Sequence, residues 1–229
     1  MNLIETRNSE AVYHTISKDR HRTNILRKYE QKSLVYLVQR IPAFITSDML
    51  TGIGFTGSLI TVFSFILATY VDRNLLLLGI LGFFINWFGD SMDGRVAYYR
   101  NTPRKWYGFA LDITVDWITT ILIGYGFMIY TEGAWEMLGF VFVVMYGWAM
   151  ITALLRYKVT GKYTIDSGLF GPTEARIVIS AILVAEVLYN GSIVYSALAA
   201  CSILFIINII ETSKLISVAN DRDNAERQK

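Results

Sequence analysis

The sequence is poor in the residues that build metal or redox centres from sulfur and imidazole. Only one of its 229 residues, Cys201, is a cysteine, which excludes an internal disulfide and a metal site made of several cysteines. Both histidines, His14 and His21, lie in the polar N-terminal stretch. A histidine-built metal centre in the apolar remainder of the chain is therefore not expected.

Charge is also scarce. Asp, Glu, Lys and Arg make up 17% of the residues, whereas a soluble domain carries about 25%. Apolar residues reach 53% and form long runs. This combination excludes a disordered tail, a nucleic-acid-binding arm and a coiled coil. It predicts an all-α integral membrane protein whose main partner is the lipid bilayer, with no nucleic acid.

The first part of the chain, residues 1–48, is polar and basic. No apolar stretch follows Met1, so we expect a cytoplasmic segment without a signal peptide. Within it, Lys18–Ile41 has apolar residues at roughly helical spacing and a basic complement, which favours a juxtamembrane amphipathic helix lying along the membrane. A solvated helix with a few core contacts is the alternative.

Six apolar stretches follow, each near the roughly 20 residues that cross a bilayer of about 30 Å. Glycine, proline and asparagine residues separate them. The predicted spans are Leu50–Val71, Leu75–Val96, Trp106–Tyr130, Trp135–Leu155, Ala175–Tyr189 and Ile193–Val218. They define a transmembrane domain over residues 49–218, which leaves 219–229 as a cytoplasmic polar tail.

The distribution of the basic residues along the chain tests the predicted number of six spans. With six spans and a cytoplasmic N-terminus, twenty of the 21 Lys and Arg residues fall on the cytoplasmic side, and only Arg73 lies outside. Cytoplasmic loops are enriched in Lys and Arg, and a wrong number of spans would scramble the alternation. We therefore expect six helices with both termini in the cytoplasm.

Four carboxylates interrupt the second and third spans. Asp90 and Asp93 are three residues apart, and Asp112 and Asp116 are four apart, so each pair lies on one face of its helix. Because a short cytoplasmic loop joins the two spans, we expect the helices to be antiparallel neighbours. All four carboxylates then converge just inside the cytoplasmic boundary.

Such a group is costly in a medium of low dielectric constant and indicates a functional site. The sequence suggests no basic residue at a similar depth on the same faces, which argues against structural ion pairing. Two divalent cations neutralise four carboxylates, and oxygen ligands suit Mg²⁺ or Mn²⁺. Paired ions of this kind are a recurrent device for phosphoryl transfer. Gly94 and Gly108 beside the carboxylates leave room for a ligand, or serve close helix packing.

The run from Asp90 to Asp116 resembles the signature of the CDP-alcohol phosphotransferase (phosphatidyltransferase) family, D-x2-D-G-x2-A-R-x8-9-G-x3-D-x3-D. Seven of its eight fixed positions match, and Tyr98 replaces the arginine that in the family helps to hold the diphosphate. Arg95 and Arg100 are the nearest substitutes. The segment Ile41–Thr51 is also similar to the stretch before the family's first span, with Asp48 where many members carry asparagine. The resemblance spans roughly residues 40–218.

The resemblance implies a homodimeric membrane enzyme that uses two Mg²⁺ or Mn²⁺ ions and releases CMP from a CDP-linked lipid donor. A small polar alcohol is the acceptor, and Asp116 is the family's usual catalytic base for its hydroxyl. The implied metal ligands are Asp90, Asp93, Asp112 and Asp116. The implied nucleotide-binding residues are Asp90, Asp93, Gly94, Ala97, Gly108 and Thr51.

Members of this family differ in the CDP-linked donor that they use. Many aminoalcohol phosphotransferases, which use CDP-ethanolamine or CDP-choline with diacylglycerol, carry histidine where this chain has Ile113. This position favours CDP-diacylglycerol as the donor, in phospholipid synthesis. The stretch from Gly171 to Glu174 resembles the aminoalcohol enzymes instead, so that alternative stays open.

Three basic residues bear on the acceptor. Arg156, Lys158 and Arg176 are expected at the level of the carboxylates, where together they would bind a phosphate on inositol phosphate or glycerol phosphate. The alternative is that they only set the topology, and Glu174 is a possible partner for one of them. A divalent-cation transporter is the competing class of function, although the span beyond Asp116 carries no charge.

Overall fold

The computed structural model describes residues 27–161 and 172–228, and within these ranges every regular element is helical. Seven α-helices follow one another within these two ranges. They are α1 (Arg27–Val38), α2 (Ser47–Tyr70), α3 (Leu78–Tyr99), α4 (Lys105–Tyr130), α5 (Met137–Thr160), α6 (Pro172–Leu188) and α7 (Ser192–Arg227). Short 3₁₀ turns at Arg73–Leu77 and Gly133–Glu136 lead into α3 and α5.

Five of the described helical segments are long and apolar enough to cross a membrane. They are Ser47–Tyr70, Arg73–Tyr99, Lys105–Tyr130, Gly133–Thr160 and Ser192–Arg227. The all-α class and several apolar spans are therefore confirmed. The predicted fifth span corresponds to α6, whose 17 residues make a helix of only about 25 Å. A count of six crossings remains a prediction.

Helix α1 covers part of the predicted N-terminal amphipathic helix, and residues 1–26 lie outside the described ranges. Its buried apolar residues are Leu34, Val35 and Val38, which pack with Leu50 of α2 and with Met92 and Val96 of α3. Tyr36, one of the residues whose helical spacing predicts an apolar face for Lys18–Ile41, is 55% exposed. The side of α1 that carries Leu34 therefore packs on the bundle. The position of α1 relative to a membrane stays a prediction.

Helices α2 and α3 form the closest pair in the bundle because glycines line their contact. A Cβ atom on Gly57 would collide with the backbone of Asn86, and one on Gly89 would collide with the backbone of Gly54. Small residues permit this approach in membrane proteins. The close contact fixes the height of α3, and with it the height of Asp90 and Asp93, relative to α2.

Helix α4 packs on α2 and α5, whereas α3 packs on α2, α1 and α6. The expected pairing of α3 with α4 is therefore not a close one, since each of these helices packs mainly on α2. The short connection between them contains Asn101 in the left-handed region at φ 57°, and its Arg104 pairs with Asp48 at the start of α2. The two pairs of aspartates are thus carried by helices that share α2 as their common neighbour.

Candidate functional site

The four predicted aspartates lie at one end of the bundle. Asp116 on α4 interacts electrostatically with Asp112 on its own helix and with both Asp90 and Asp93 on α3. Asp93 is 8% exposed, and the other three are partly exposed. Carboxylates from two helices therefore lie within electrostatic range of one another, as their spacing in the sequence predicts.

The carboxylates are near one another without being closed around a common point. In the described part of the chain, no three His, Cys, Asp or Glu side chains are close enough to ligate one ion as they stand. This agrees with the loose packing of α3 against α4, which both pack mainly on α2. The carboxylates of the two helices are held in electrostatic range, and their donor set is all oxygen.

Asp93 is the most firmly held of the four. Its Oδ2 accepts a hydrogen bond of 2.8 Å from Thr51 Oγ1, and its Oδ1 accepts from the backbone N–H of Gly94. Its carbonyl oxygen accepts a further bond of 2.8 Å from Ser47 Oγ. Both hydroxyl donors come from the first turns of α2, which Thr46 caps by accepting from the backbone N–H of Met49. The start of α2 thus fixes Asp93 in position.

Asp90 points towards a different helix. Its Oδ2 accepts a charged hydrogen bond of 2.7 Å from Arg176 Nη2 on α6. The same guanidinium donates through Nε to Asn86 Oδ1 at 2.9 Å, one turn before Asp90. The side chain of Arg176 is only 16% exposed. Arg176 therefore lies at the level of the carboxylates, as expected, whereas the expectation that these aspartates have no basic partner for an ion pair is wrong.

Asn86 was missed by the sequence analysis. It is 7% exposed, and its amide donates to Gly54 O at 3.2 Å and to Ser58 Oγ at 3.0 Å on α2. It therefore connects α2, α3 and the guanidinium of Arg176. A signal was present in the sequence, because a polar residue inside an apolar span and one turn before an aspartate is unusual.

The glycines around the site differ in their surroundings. Among the described residues, no heavy atom lies within 4 Å of the position that a Cβ atom on Gly108 would take, so these residues leave space at the start of α4. Thr51, predicted to contact the nucleotide, is placed beside Asp93. Gly94 and Ala97 continue α3 past Asp93 and are partly exposed. Space at Gly108 is compatible with the close ligand that the motif predicts.

The two nearest substitutes for the missing family arginine have other contacts. Arg100 donates to four backbone carbonyl oxygens, those of Ile41, Pro42, Ala43 and Ile45, at 2.6–3.4 Å. Arg95 is 6% exposed and donates to Ser91 O one turn earlier in its helix. Arg100 thus fastens the segment before α2 to the end of α3.

The three basic residues predicted for the acceptor have different surroundings. Arg156 on α5 pairs with Glu211 on α7, which also accepts a bond of 2.9 Å from Lys214. Lys158 is exposed, and Arg176 lies on Asp90. The structure therefore places Arg176 at the aspartates and connects Arg156 to α7. Glu174, considered as a partner of these residues, is buried near the start of α6.

Buried hydroxyl groups continue below the aspartates, away from this end of the bundle. Ser58, Thr61 and Ser64 on α2 are each at most 1% exposed. Each bonds to a carbonyl oxygen of its own helix, and Ser58 also meets Thr119 of α4 at 2.9 Å. Hydroxyl groups that are hydrogen-bonded in this way are typical of helix–helix contacts in membranes. We therefore assign these three residues to helix packing.

Neither the comparison with protein-family models nor the comparison with curated proteins finds a match to this chain. The resemblance to the CDP-alcohol phosphotransferases therefore depends on the motif residues of the sequence alone.

Proposed function

We propose that this chain is a metal-dependent CDP-alcohol phosphotransferase of the membrane. It would move the phosphatidyl group of CDP-diacylglycerol to the hydroxyl of a small polar alcohol and release CMP, as a step of phospholipid synthesis. The observation that supports this most is the electrostatic grouping of Asp90, Asp93 and Asp112 around Asp116. These are the carboxylates that the motif marks as metal ligands.

The donor chemistry of the four aspartates suits a pair of Mg²⁺ or Mn²⁺ ions, around which their side chains would have to close. All the candidate ligands are carboxylate oxygens, the donors that these cations prefer. Four carboxylates in a poorly hydrated region also need compensating charge, and Arg176 supplies only one positive charge. Bound ions would neutralise the diphosphate and stabilise charge on the attacking and leaving oxygens.

The chain's own residues would then position the reactants. Gly108 leaves space for the cytidine side of the donor, and Thr51 holds Asp93 in place. Asp116 would accept the proton of the acceptor hydroxyl. The acceptor oxygen forms a bond to the phosphorus that carries the diacylglycerol, and the bond from that phosphorus to the bridging oxygen breaks, so that CMP takes the electron pair. We place the acceptor near Arg176, with a phosphorylated alcohol such as inositol phosphate or glycerol phosphate as the leading class.

The placement in the membrane is part of the proposal. Helix α6 begins beside Asp90 and ends beside Tyr130, whose hydroxyl donates to Glu186 at 2.8 Å. It therefore runs from the aspartate end of the bundle to the opposite end, which supports a sixth crossing. The distribution of Lys and Arg supports a cytoplasmic position for both termini and for the site. A homodimer is proposed from the family resemblance alone.

The test is CMP release by purified protein in detergent with Mn²⁺. CDP-diacylglycerol is offered with inositol phosphate, glycerol phosphate, serine or inositol. We expect acceptor-dependent CMP release that Asp112→Asn abolishes. Asp48→Asn is the matched control. Asp48 is a carboxylate at the same end of the bundle, lies outside the Asp90–Asp116 motif and pairs with Arg104.

Other outcomes identify other functions. Turnover of CDP-ethanolamine or CDP-choline with diacylglycerol, but not of CDP-diacylglycerol, would reassign the donor to the aminoalcohol branch. Mn²⁺ flux into proteoliposomes, with no CMP release from any donor, would instead establish a divalent-cation transporter.

A further inference from the structure

Arg176 forms an ion pair with Asp90, one of the carboxylates that the proposed function assigns to metal. Its Nη2 lies 2.7 Å from Asp90 Oδ2, and it also interacts electrostatically with Asp116. Its Nε is held separately by Asn86 at 2.9 Å, and Asn86 is itself anchored to α2. The bond from Nε to Asn86 therefore anchors the guanidinium, and Nη2 on the same edge meets Asp90.

We propose that Arg176 is an internal counter-ion that occupies Asp90 in the metal-free protein and is displaced from it when divalent cations bind. This inference rests on the proposed function, because it concerns the same four carboxylates. A cation and a guanidinium compete for the lone pairs of one carboxylate oxygen. The bond to Asn86 keeps Arg176 near the site after it leaves Asp90.

The charge balance explains why such a device is useful. The four aspartates with Arg176 carry a net charge of −3, and two divalent cations change this to +1. The metal-free site therefore repels an anionic substrate, whereas the metal-loaded site attracts one. In the loaded site Arg176 also has an N–H group that no longer binds Asp90. Metal would accordingly bind before any phosphate-bearing substrate.

The first measurement is Mn²⁺ binding by electron paramagnetic resonance, with no substrate present. If Arg176 competes with the cation, Arg176→Gln and Arg176→Met should each lower the Mn²⁺ dissociation constant by about fivefold or more. Arg176→Lys keeps the charge and should stay within about twofold of the wild type. Arg104→Gln is the control, since it removes one positive charge at the same end, where Arg104 pairs with Asp48.

The second measurement is thermal unfolding in EDTA and in saturating Mn²⁺. A counter-ion stabilises the metal-free protein, so Arg176→Met should lower the melting temperature in EDTA and have a much smaller effect in Mn²⁺. An equal loss of stability in both conditions, with an unchanged or weaker Mn²⁺ affinity, would show that Arg176 only docks α6 and would overturn the inference.

The two proposals fail differently. If the wild type binds Mn²⁺, Asp112→Asn abolishes binding and the Arg176 variants leave the affinity unchanged, then only the counter-ion inference is lost. If the wild type shows no saturable Mn²⁺ binding that depends on Asp112, both the metal-dependent function and the inference are contradicted.

Discussion

Thr51 Oγ1 on α2 donates to Asp93 Oδ2 on α3 at 2.8 Å, and the acceptor is the most buried of the four aspartates. This bond joins the two most closely packed helices at the level of the proposed metal ligands. A bond to a charged group that is buried contributes about 1.5–3 kcal/mol. It orients the carboxylate as well as stabilising the protein.

Thr51→Val removes the donor and keeps the shape of the side chain. We expect a loss of activity of about tenfold or more and weaker Mn²⁺ binding, because an unpaired Asp93 can rotate away from its position. Thr56→Val is the matched control, since that exposed hydroxyl bonds only to Gly52 O within its own helix. Equal CMP release by both variants would show that the Thr51 bond does not orient the site.

Gly89 tests whether the close α2–α3 contact positions the aspartates. A Cβ at this position would overlap the backbone of Gly54 and Leu50 O, and backbone cannot rotate aside as a side chain can. Overpacking of this kind costs about 1–3 kcal/mol, occasionally more. We expect Gly89→Ala to lower the melting temperature in detergent and to abolish activity by displacing the neighbouring Asp90.

Gly52→Ala provides the comparison for Gly89→Ala. It adds the same methyl group to a glycine of α2 that has no heavy atom within 4 Å of the new carbon. This variant should retain the wild-type melting temperature and activity. A melting temperature for Gly89→Ala that matches that of Gly52→Ala would mean that the helices separate easily and that their contact does not set the site.

The sequence predicted the all-α class and the grouping of the four aspartates, because apolar length and helical spacing are local properties. It also predicted Arg176 at the level of the carboxylates, but it could not supply the bond between Arg176 and Asp90. These residues are 86 positions apart, and whether they meet depends on how α6 packs against α3. A sequence shows the order of the helices but not the lateral contacts between distant ones.

The relation between α3 and α4 was unpredictable for a similar reason. A short connection usually implies closely packed helices, but the glycines of α2 and α3 bring those two helices together, and α4 also packs mainly on α2. Gly54 and Gly57 were visible in the sequence, yet their partners were not. Packing between distant segments decided the arrangement.

Arg100 provides a test of the missing family arginine. Because it donates to Ile41, Pro42, Ala43 and Ile45, its role in the structure is to fasten the segment before α2 rather than to face the diphosphate. Arg100→Gln should increase amide hydrogen exchange and proteolysis across residues 39–47. It should lower kcat more than it raises KM for the CDP-linked donor.

Lys105→Gln is the control for Arg100→Gln, since it removes an exposed positive charge from the start of α4. Its exchange pattern should match that of the wild type. A large rise in donor KM for Arg100→Gln, with unchanged exchange across residues 39–47, would assign Arg100 to the diphosphate instead.

Arg156 tests the proposed phosphate on the acceptor. It is partly buried and pairs with Glu211, so it is held near the same end of the bundle as Arg176. If it contributes to the acceptor site, Arg156→Ala should raise the KM for inositol phosphate or glycerol phosphate about tenfold, and leave the KM for inositol unchanged. Lys214→Ala removes the other cation on Glu211 and should change neither value. An unchanged KM for the phosphorylated acceptors would remove Arg156 from the site.

Glu186 is predicted to stabilise the protein without taking part in the reaction. It is 1% exposed and accepts from Tyr130 Oη at 2.8 Å and from the backbone N–H groups of Gly191 and Ile193 at 2.9 and 2.8 Å. It therefore satisfies the N–H groups at the start of α7, which have no partner within that helix. Removal of such an acceptor leaves several buried donors unpaired, each at a cost of about 1–3 kcal/mol.

We therefore expect Glu186→Ala to lower the melting temperature strongly while the folded fraction keeps the Mn²⁺ affinity of the wild type. Glu132→Ala is the control, because Glu132 is exposed at the same end of the bundle. Since Glu186 lies beside Tyr130, at the end of α4 opposite to Asp112, its loss should not reach the aspartates. A changed Mn²⁺ affinity in Glu186→Ala would show instead that the two ends of the bundle are coupled through α6, the helix that carries both Arg176 and Glu186.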